Sequence, residues 1–274
     1  MSSSLKNNPS LKASTLPASD DTTHTTNPFI PGGYANSSPS RNRLLFNMDK
    51  LEIPPQHRDM FLAVNKLVRD YMYGERYDPS HDYEHIQRVV KNAYELHTAE
   101  KAAGRLPPNL DVTTMYLAAM MHDVGETKYL EHGRTQEDVV KEKMLECGAS
   151  SALAAAVATI AINVSYTRER NASDPNLINA ILDMHPELAF VQDADRLDAL
   201  GPSGQARCFV FGGANERRRV QSLHTGVQLQ HTRFQWYAGM MKTKSGRDRG
   251  EIGWNWMKEF AREWAVDTDV ACVL

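Results

Sequence analysis

The chain has 274 residues, 41% of them hydrophobic and 24% charged, with a formal net charge of -3. That length supports one large domain or two small ones with a sizeable core, and the near-balanced charge excludes a strong general pull toward nucleic acid or anionic membrane. Three cysteines (Cys147, Cys208 and Cys272), none in a CxxC pair, exclude a disulfide scaffold and a zinc ribbon.

Residues 1–44 are rich in Ser, Thr, Asn and Pro. Such a segment buries too little apolar surface to offset its ordering entropy, so a disordered tail is expected there, with the folded domain at 45–274. The tail lacks a basic stretch leading into an apolar core, so no secretory signal is expected. No run reaches the roughly 18 apolar residues of a membrane span. Ala152 to Val164 comes nearest and is broken by Thr159 and Asn163. Cys272 is third from the end rather than fourth, which argues against prenylation. A cytoplasmic location is the expectation, with nucleus and mitochondrion left open.

From Leu51 onward the apolar residues recur at helical spacing. Met60, Phe61, Val64, Leu67, Val68 and Tyr71 predict one helix, and Ile86, Val89, Val90, Ala93 and Leu96 a second. Val112 to His122 is a short, strongly apolar third. Glu137 to Cys147 follows, stopped by Gly148. Ser150 or Ser151 caps the Ala-rich helix, and Asp174-Pro175 starts another. Leu188 to Leu200 is helical and Gly201-Pro202 ends it. Val227 to Met241 and Ile252 to Trp264 complete the series, the latter carrying Ile252, Trp256, Phe260 and Trp264 as one stripe. No run alternates with the period of a strand, so the reading is all-α, with room for one short hairpin.

Three acid-and-histidine clusters sit on these helices. His81 to His85 lies at a helix start. His122-Asp123-Val124-Gly125-Glu126 closes the apolar helix, where a buried charge needs a partner or a metal. In the third, Asp193, Asp195 and Asp198 cannot all reach solvent if that helix packs, and Asp195 and Asp198 share a face.

These residues resemble the H…HD…D signature of the HD-domain superfamily: His85, the His122-Asp123 pair, and Asp195. His85 to Val89 and Ala118 to Gly125 look like its first two motifs. Val191 to Gly201 is similar to the long third motif of the YedJ-type branch, followed by similar runs at Gly204 to Arg207 and Phe211 to Gly213. The likeness covers about residues 57 to 265.

The resemblance implies an HD-domain helical bundle in which His85, His122, Asp123 and Asp195 hold one divalent metal. An imidazole and carboxylate set suits Mn, Fe, Co, Ni or Zn, with Mn favoured. It implies a metal-dependent phosphohydrolase that cleaves a phosphate ester or anhydride, with a nucleotide as the likeliest small substrate. Asp123 and Glu126 would be catalytic, Glu126 handling the attacking water. Arg88, Lys128, Arg196 and Arg207 are the phosphate-binding candidates. Asp198, Asp193 and His81 would support the ligands from behind. No nucleic-acid or membrane partner is expected, and a homodimer is admitted. A di-iron oxygenase is the first alternative. It would need further ligands, for which His132 and His185 are the candidates, neither with a partner at a telling spacing. A non-catalytic ligand-binding domain is the second. Gly253 departs from the branch, where relatives often carry a basic residue. Arg217 to Arg219 reads as a solvated face, and Tyr237, Trp236, Trp254 and Trp256 as core or interface.

Overall fold

The computed structural model describes residues 44–126, 133–172, 174, 176–215 and 220–274. All regular structure among them is helical. The all-α expectation therefore holds, and the admitted hairpin is not found among the described residues. The expected tail lies outside them except for Leu44.

The helix α1 (Arg58–Met72) buries Phe61, Val64, Val68 and Met72 along one face. The next, α2 (Tyr83–Ala102), is capped by Asp82, whose carboxylate accepts the backbone N–H groups of Glu84 and His85. This cap fixes where the helix begins, and so where His85 points. In α3 (Val112–Met121) every residue from Thr113 to Met121 is buried. A helix apolar all round has no face for water, and α3 is accordingly the central element, packed by α1, α2, α5 and α8. Gln136–Glu146 (α4) and Ser151–Ile162 (α5) pair off on its far side, with Ser150 capping α5. The short α6 (Tyr166–Arg170), which has no strong periodic signal, precedes α7 (Leu177–Met184). The helix start expected at Asp174-Pro175 falls partly outside the described residues. Packed along α2 is α8 (Glu187–Asp198), the carrier of the third acidic cluster.

Three expectations need correction. Gly201-Pro202 ends α8 but also starts α9 (Gly201–Ala214), since proline is tolerated in a first turn where no intrahelical N–H is required. The run Val227 to Met241 is not one helix. It divides into α10 (His224–Thr232), a 3-10 turn Phe234–Trp236 and α11 (Tyr237–Met240), broken where Arg233 takes φ -134° and ψ -58°. The last helix, α12 (Lys244–Asp267), does not bury its aromatic stripe. Ile252 is 71% and Trp256 38% exposed, while Gly246, Gly250 and Met257 face inward. The stripe is instead a stack of rings, Trp256 on Phe260 and Phe260 on Trp264, continued by Phe209 of α9. Of the other aromatics, Tyr237 is buried, Trp254 packs partly against the core and Trp236 is largely exposed.

Gly253 has a packing reason. A Cβ there would lie 2.9 Å from Leu200 Cβ, so α12 passes the α8–α9 junction at a distance only glycine permits. Asp193 anchors the same helix. Its carboxylate accepts the N–H of Lys242 at 2.8 Å, the N–H of Thr243 at 2.7 Å and the Thr243 hydroxyl at 2.7 Å. Burial pushes the Asp193 pKa up, against these donors.

Candidate metal centre

His85 from α2, His122 and Asp123 from the end of α3, and Asp195 from α8 converge. The two Nε2 atoms are 3.3 Å apart. His85 Nε2 lies 3.2 Å from Asp123 Oδ2 and 3.6 Å from Asp195 Oδ1. His122 Nε2 lies 3.4 Å from Asp123 Oδ1 and 3.8 Å from Asp195 Oδ1. One donor atom each from His85, His122 and Asp195 fits within 4.8 Å of the others, and Asp123 closes the group against both rings. The imidazoles are buried, while Asp195 keeps 27% of its side chain exposed toward the cavity.

The outer nitrogens decide what the inner ones present. His122 Nδ1 lies 2.9 Å from the carbonyl of Ala119, an acceptor only, so Nδ1 carries the proton. His85 Nδ1 lies 2.7 Å from Asp198 Oδ2 and donates to that carboxylate. With both rings neutral, Nε2 lone pairs would point at each other and at carboxylate oxygens. Asp123 Oδ2 is buried without a hydrogen-bond donor. Such a set is repulsive by itself, and a cation among the lone pairs relieves it.

The electrostatics show which charge the centre draws in. Burial and the Arg207 charge push the His85 pKa down, but Asp123 and Asp198 outweigh them and the net direction is up. Burial would raise Asp123, yet His122 and His85 hold it well below the usual carboxylate range. Burial would also raise Asp198, and the His85 hydrogen bond with Arg207 and Arg88 holds it low instead. The centre favours positive charge, carried by a protonated imidazole or by a bound cation.

Asp198 is the hub of the support. Besides His85 it accepts Arg88 Nε at 2.7 Å and Arg207 Nη1 at 3.0 Å. Arg207 also donates from Nε to the Ser80 carbonyl at 2.7 Å. His81 sits beside this layer, its ring 5.9 Å from that of His85 and 5.5 Å from Phe211. Gln136, which sequence reading did not single out, donates to the carbonyls of His122 at 2.7 Å and Val124 at 3.3 Å, securing the turn that carries the His-Asp pair.

A cavity of about 210 Å³ opens on the centre. His85, His122, Asp123, Asp195, Glu126 and Arg207 line it, so the structure brings these six together. His81 also reaches it.

Three predicted residues are elsewhere. Arg88, a phosphate-binding candidate, is not among the cavity residues and spends its guanidinium on Asp198 instead. Arg196 is 1% exposed and donates to the Glu169 carboxylate and, at 3.0 Å, to the Met240 carbonyl. It is one residue on from Asp195, hence rotated by roughly 100° on the helix and aimed at α6 rather than the cavity. Asp193 likewise serves the start of α12, not the ligands. Lys128, His132 and Arg217 to Arg219 lie outside the described residues. His185 follows α7 and is not among the cavity residues.

Comparison with known proteins places this geometry. A model of the HD domain matches residues 82–200. The uncharacterized protein YpgQ of Bacillus subtilis (strain 168) is 30% identical over 192 residues, 68% of this chain and 84% of YpgQ. The crystal structure of B. subtilis YpgQ in complex with ADP aligns with a TM-score of 0.55 at 25% identity, covering 74% of this chain and 97% of that one. An HD-superfamily hydrolase from Bacillus thuringiensis shares the fold, with a TM-score of 0.53 at 23% identity, covering 77% of this chain and 97% of the other.

Proposed function

The chain belongs to the HD-domain family, and from that membership we propose that it is a metal-dependent phosphohydrolase acting on a phosphate ester or anhydride of a nucleotide. The observation that carries the reading is the pair of imidazole Nε2 atoms, 3.3 Å apart, with both Nδ1 protons committed elsewhere. His85, His122, Asp123 and Asp195 would hold one divalent ion of the kind this donor set suits, Mn, Fe, Co, Ni or Zn, with Mn our first choice. When bound, such an ion supplies Lewis acidity toward a phosphoryl oxygen and lowers the pKa of a water. The ADP in the YpgQ crystal structure supports a nucleotide as the substrate class.

The protein's own groups complete the chemistry. Glu126 lines the cavity and takes the proton of the attacking water. The water oxygen bonds to phosphorus as the bond to the leaving oxygen breaks. Arg207, 14% exposed and held by Asp198 and Ser80, presents its remaining N–H groups to the phosphate. Arg88 is bidentate to Asp198 and sets the position of that carboxylate.

A hydrolysis panel of nucleoside mono-, di- and triphosphates with Mn, Co, Ni, Zn and Mg, run beside His122→Ala, tests the reading. Phosphate or pyrophosphate release by wild type and its loss in the variant are expected. Equal release by both would remove the chemistry from this centre. No release across the panel would leave a ligand-binding domain.

A further inference from the structure

The cavity has a second wall, built from α6 and the segment that breaks after α10. It carries Tyr166, Arg233, Phe234 and Tyr237. Among the described residues, Arg233 is the one cation of this wall. Its Nε donates to the Tyr237 hydroxyl at 2.6 Å, and its guanidinium lies over the Tyr166 ring at 5.1 Å and the Tyr237 ring at 5.9 Å. The two tyrosine rings are themselves 5.1 Å apart. One edge of the guanidinium is thus tied and its face is supported, which fixes the plane of the fork before any ligand arrives.

No carboxylate pairs with Arg233 among the described residues. The other arginines near the centre are different: Arg88 and Arg207 share the Asp198 carboxylate, and Arg196 pairs with Glu169. The sequence shows why Arg233 has no acidic partner nearby in the chain, because no Asp or Glu occurs between Glu216 and Asp248. An arginine held in place, facing a cavity and lacking an anion is arranged for an anion from solution. The two walls also sense each other. Burial, with the Asp195 charge adding to it and Arg233 opposing it, pushes the Tyr237 phenol up to about 12, so it stays a neutral hydroxyl.

We propose that Arg233, braced by Tyr166 and Tyr237, is a second anion subsite that holds a phosphate of the substrate other than the one at the metal centre. The substrate is then a phosphoanhydride, such as a nucleoside di- or triphosphate, rather than a simple monoester. A diphosphate carries more negative charge than one divalent ion offsets, and Arg233 supplies the balance from the opposite set of helices. The inference rests on the nucleotide reading of the cavity, but not on hydrolysis.

Calorimetric titration of the full chain with ADP and with AMP, Mn present, tests it in wild type, Arg233→Met and Arg233→Lys. Arg233→Met is expected to weaken ADP by about 10- to 100-fold and AMP by less than about threefold, as removal of a charge-assisted fork requires. Arg233→Lys keeps the charge without the fork and should fall between. It carries the comparison if the methionine variant does not fold. Unchanged ADP affinity, equal losses for ADP and AMP, or no ADP binding by wild type would each overturn the subsite. ADP binding that depends on Arg233, together with no release in the hydrolysis panel, would sink the hydrolase reading alone.

Discussion

Asp198 Oδ2 accepts the Nδ1 proton of His85 at 2.7 Å, and this contact determines which nitrogen of His85 faces the centre. The carboxylate is 2% exposed and also bears Arg88 and Arg207. One residue therefore sets the tautomer of a proposed metal ligand and anchors two cations around it.

Asp198→Asn should reduce Mn affinity by about 10- to 100-fold, the usual cost of losing a carboxylate behind a ligating histidine. An amide can still accept from His85, but it no longer offsets the two guanidinium groups. A competition titration against a metal indicator reads the effect. Unchanged affinity would mean that the His85 tautomer is fixed without Asp198.

Glu100 gives a pH signature remote from the centre. It joins the end of α2 to the start of α12, accepting Arg105 Nε at 2.6 Å and the Ser245 N–H at 2.7 Å. Burial acts to raise its pKa, but Arg105 and Ser245 outweigh it and hold the group at about 2, below its ordinary 4.5. A depressed carboxylate stabilises the fold above its unfolded pKa, and the contribution is lost as pH falls from about 4.5 toward 2. Arg105 is half exposed, so the contribution is about 1–2 kcal/mol after screening. Glu100→Gln should lower stability to urea by that amount at pH 7 and by almost nothing near pH 2. A constant difference across that range would refute the assignment.

The buried Arg196–Glu169 pair, with Lys242 bound to the other Glu169 oxygen at 2.6 Å, fastens α6 to α8 and to the start of α12. Burial would raise the Glu169 pKa, but Arg196 and Lys242 keep it below the ordinary value. Arg196→Met should cost about 2–4 kcal/mol, because it strips a buried carboxylate of one partner. Combining it with Glu169→Gln should cost less than the sum of the single changes. Urea unfolding of the three variants provides the cycle, and strict additivity would show that the pair is not coupled.

These contacts show what one dimension of sequence can convey. Helical spacing located α1, α2 and α3, and the resemblance located four residues that do converge. Asp82 as a cap and the all-round apolar α3 are local signals, readable without tertiary structure. Which arginine is available to an anion is not local. Arg196 and Arg207 both lie in recognisable motifs, yet Glu169 of α6 draws Arg196 away from the cavity while Arg207 lines it. Arg233 sits in no motif, and its only trace in the sequence is that no Asp or Glu lies between Glu216 and Asp248. The break that turns it into the cavity is equally silent, since Val227 to Met241 has a helical composition throughout. Gln136 escaped notice because its role, holding two carbonyls of a turn, depends on the approach of α4.

That turn yields the last prediction. Gly125 takes φ +70°, and a Cβ there would lie 2.9 Å from Val139 Cβ and 3.0 Å from its Cγ1. Gly125→Ala therefore meets two separable costs, about 1 kcal/mol for a left-handed backbone and about 1–3 kcal/mol for overpacking against α4. Val139→Gly in the same chain removes the contacted Cβ as well as both Cγ atoms and, read as a cycle against the Val139→Gly single variant, should recover the second and leave the first. Because the turn lies between Asp123 and Glu126, the single Gly125→Ala variant should also weaken Mn binding, and the double variant should restore most of it. Unfolding in urea separates the two energies, and titration with Mn reports the centre. Full stability in Gly125→Ala would show that the backbone relaxes out of this turn without loss. Lost stability with Mn affinity untouched would show instead that the turn supports α4 and does not position the His-Asp pair.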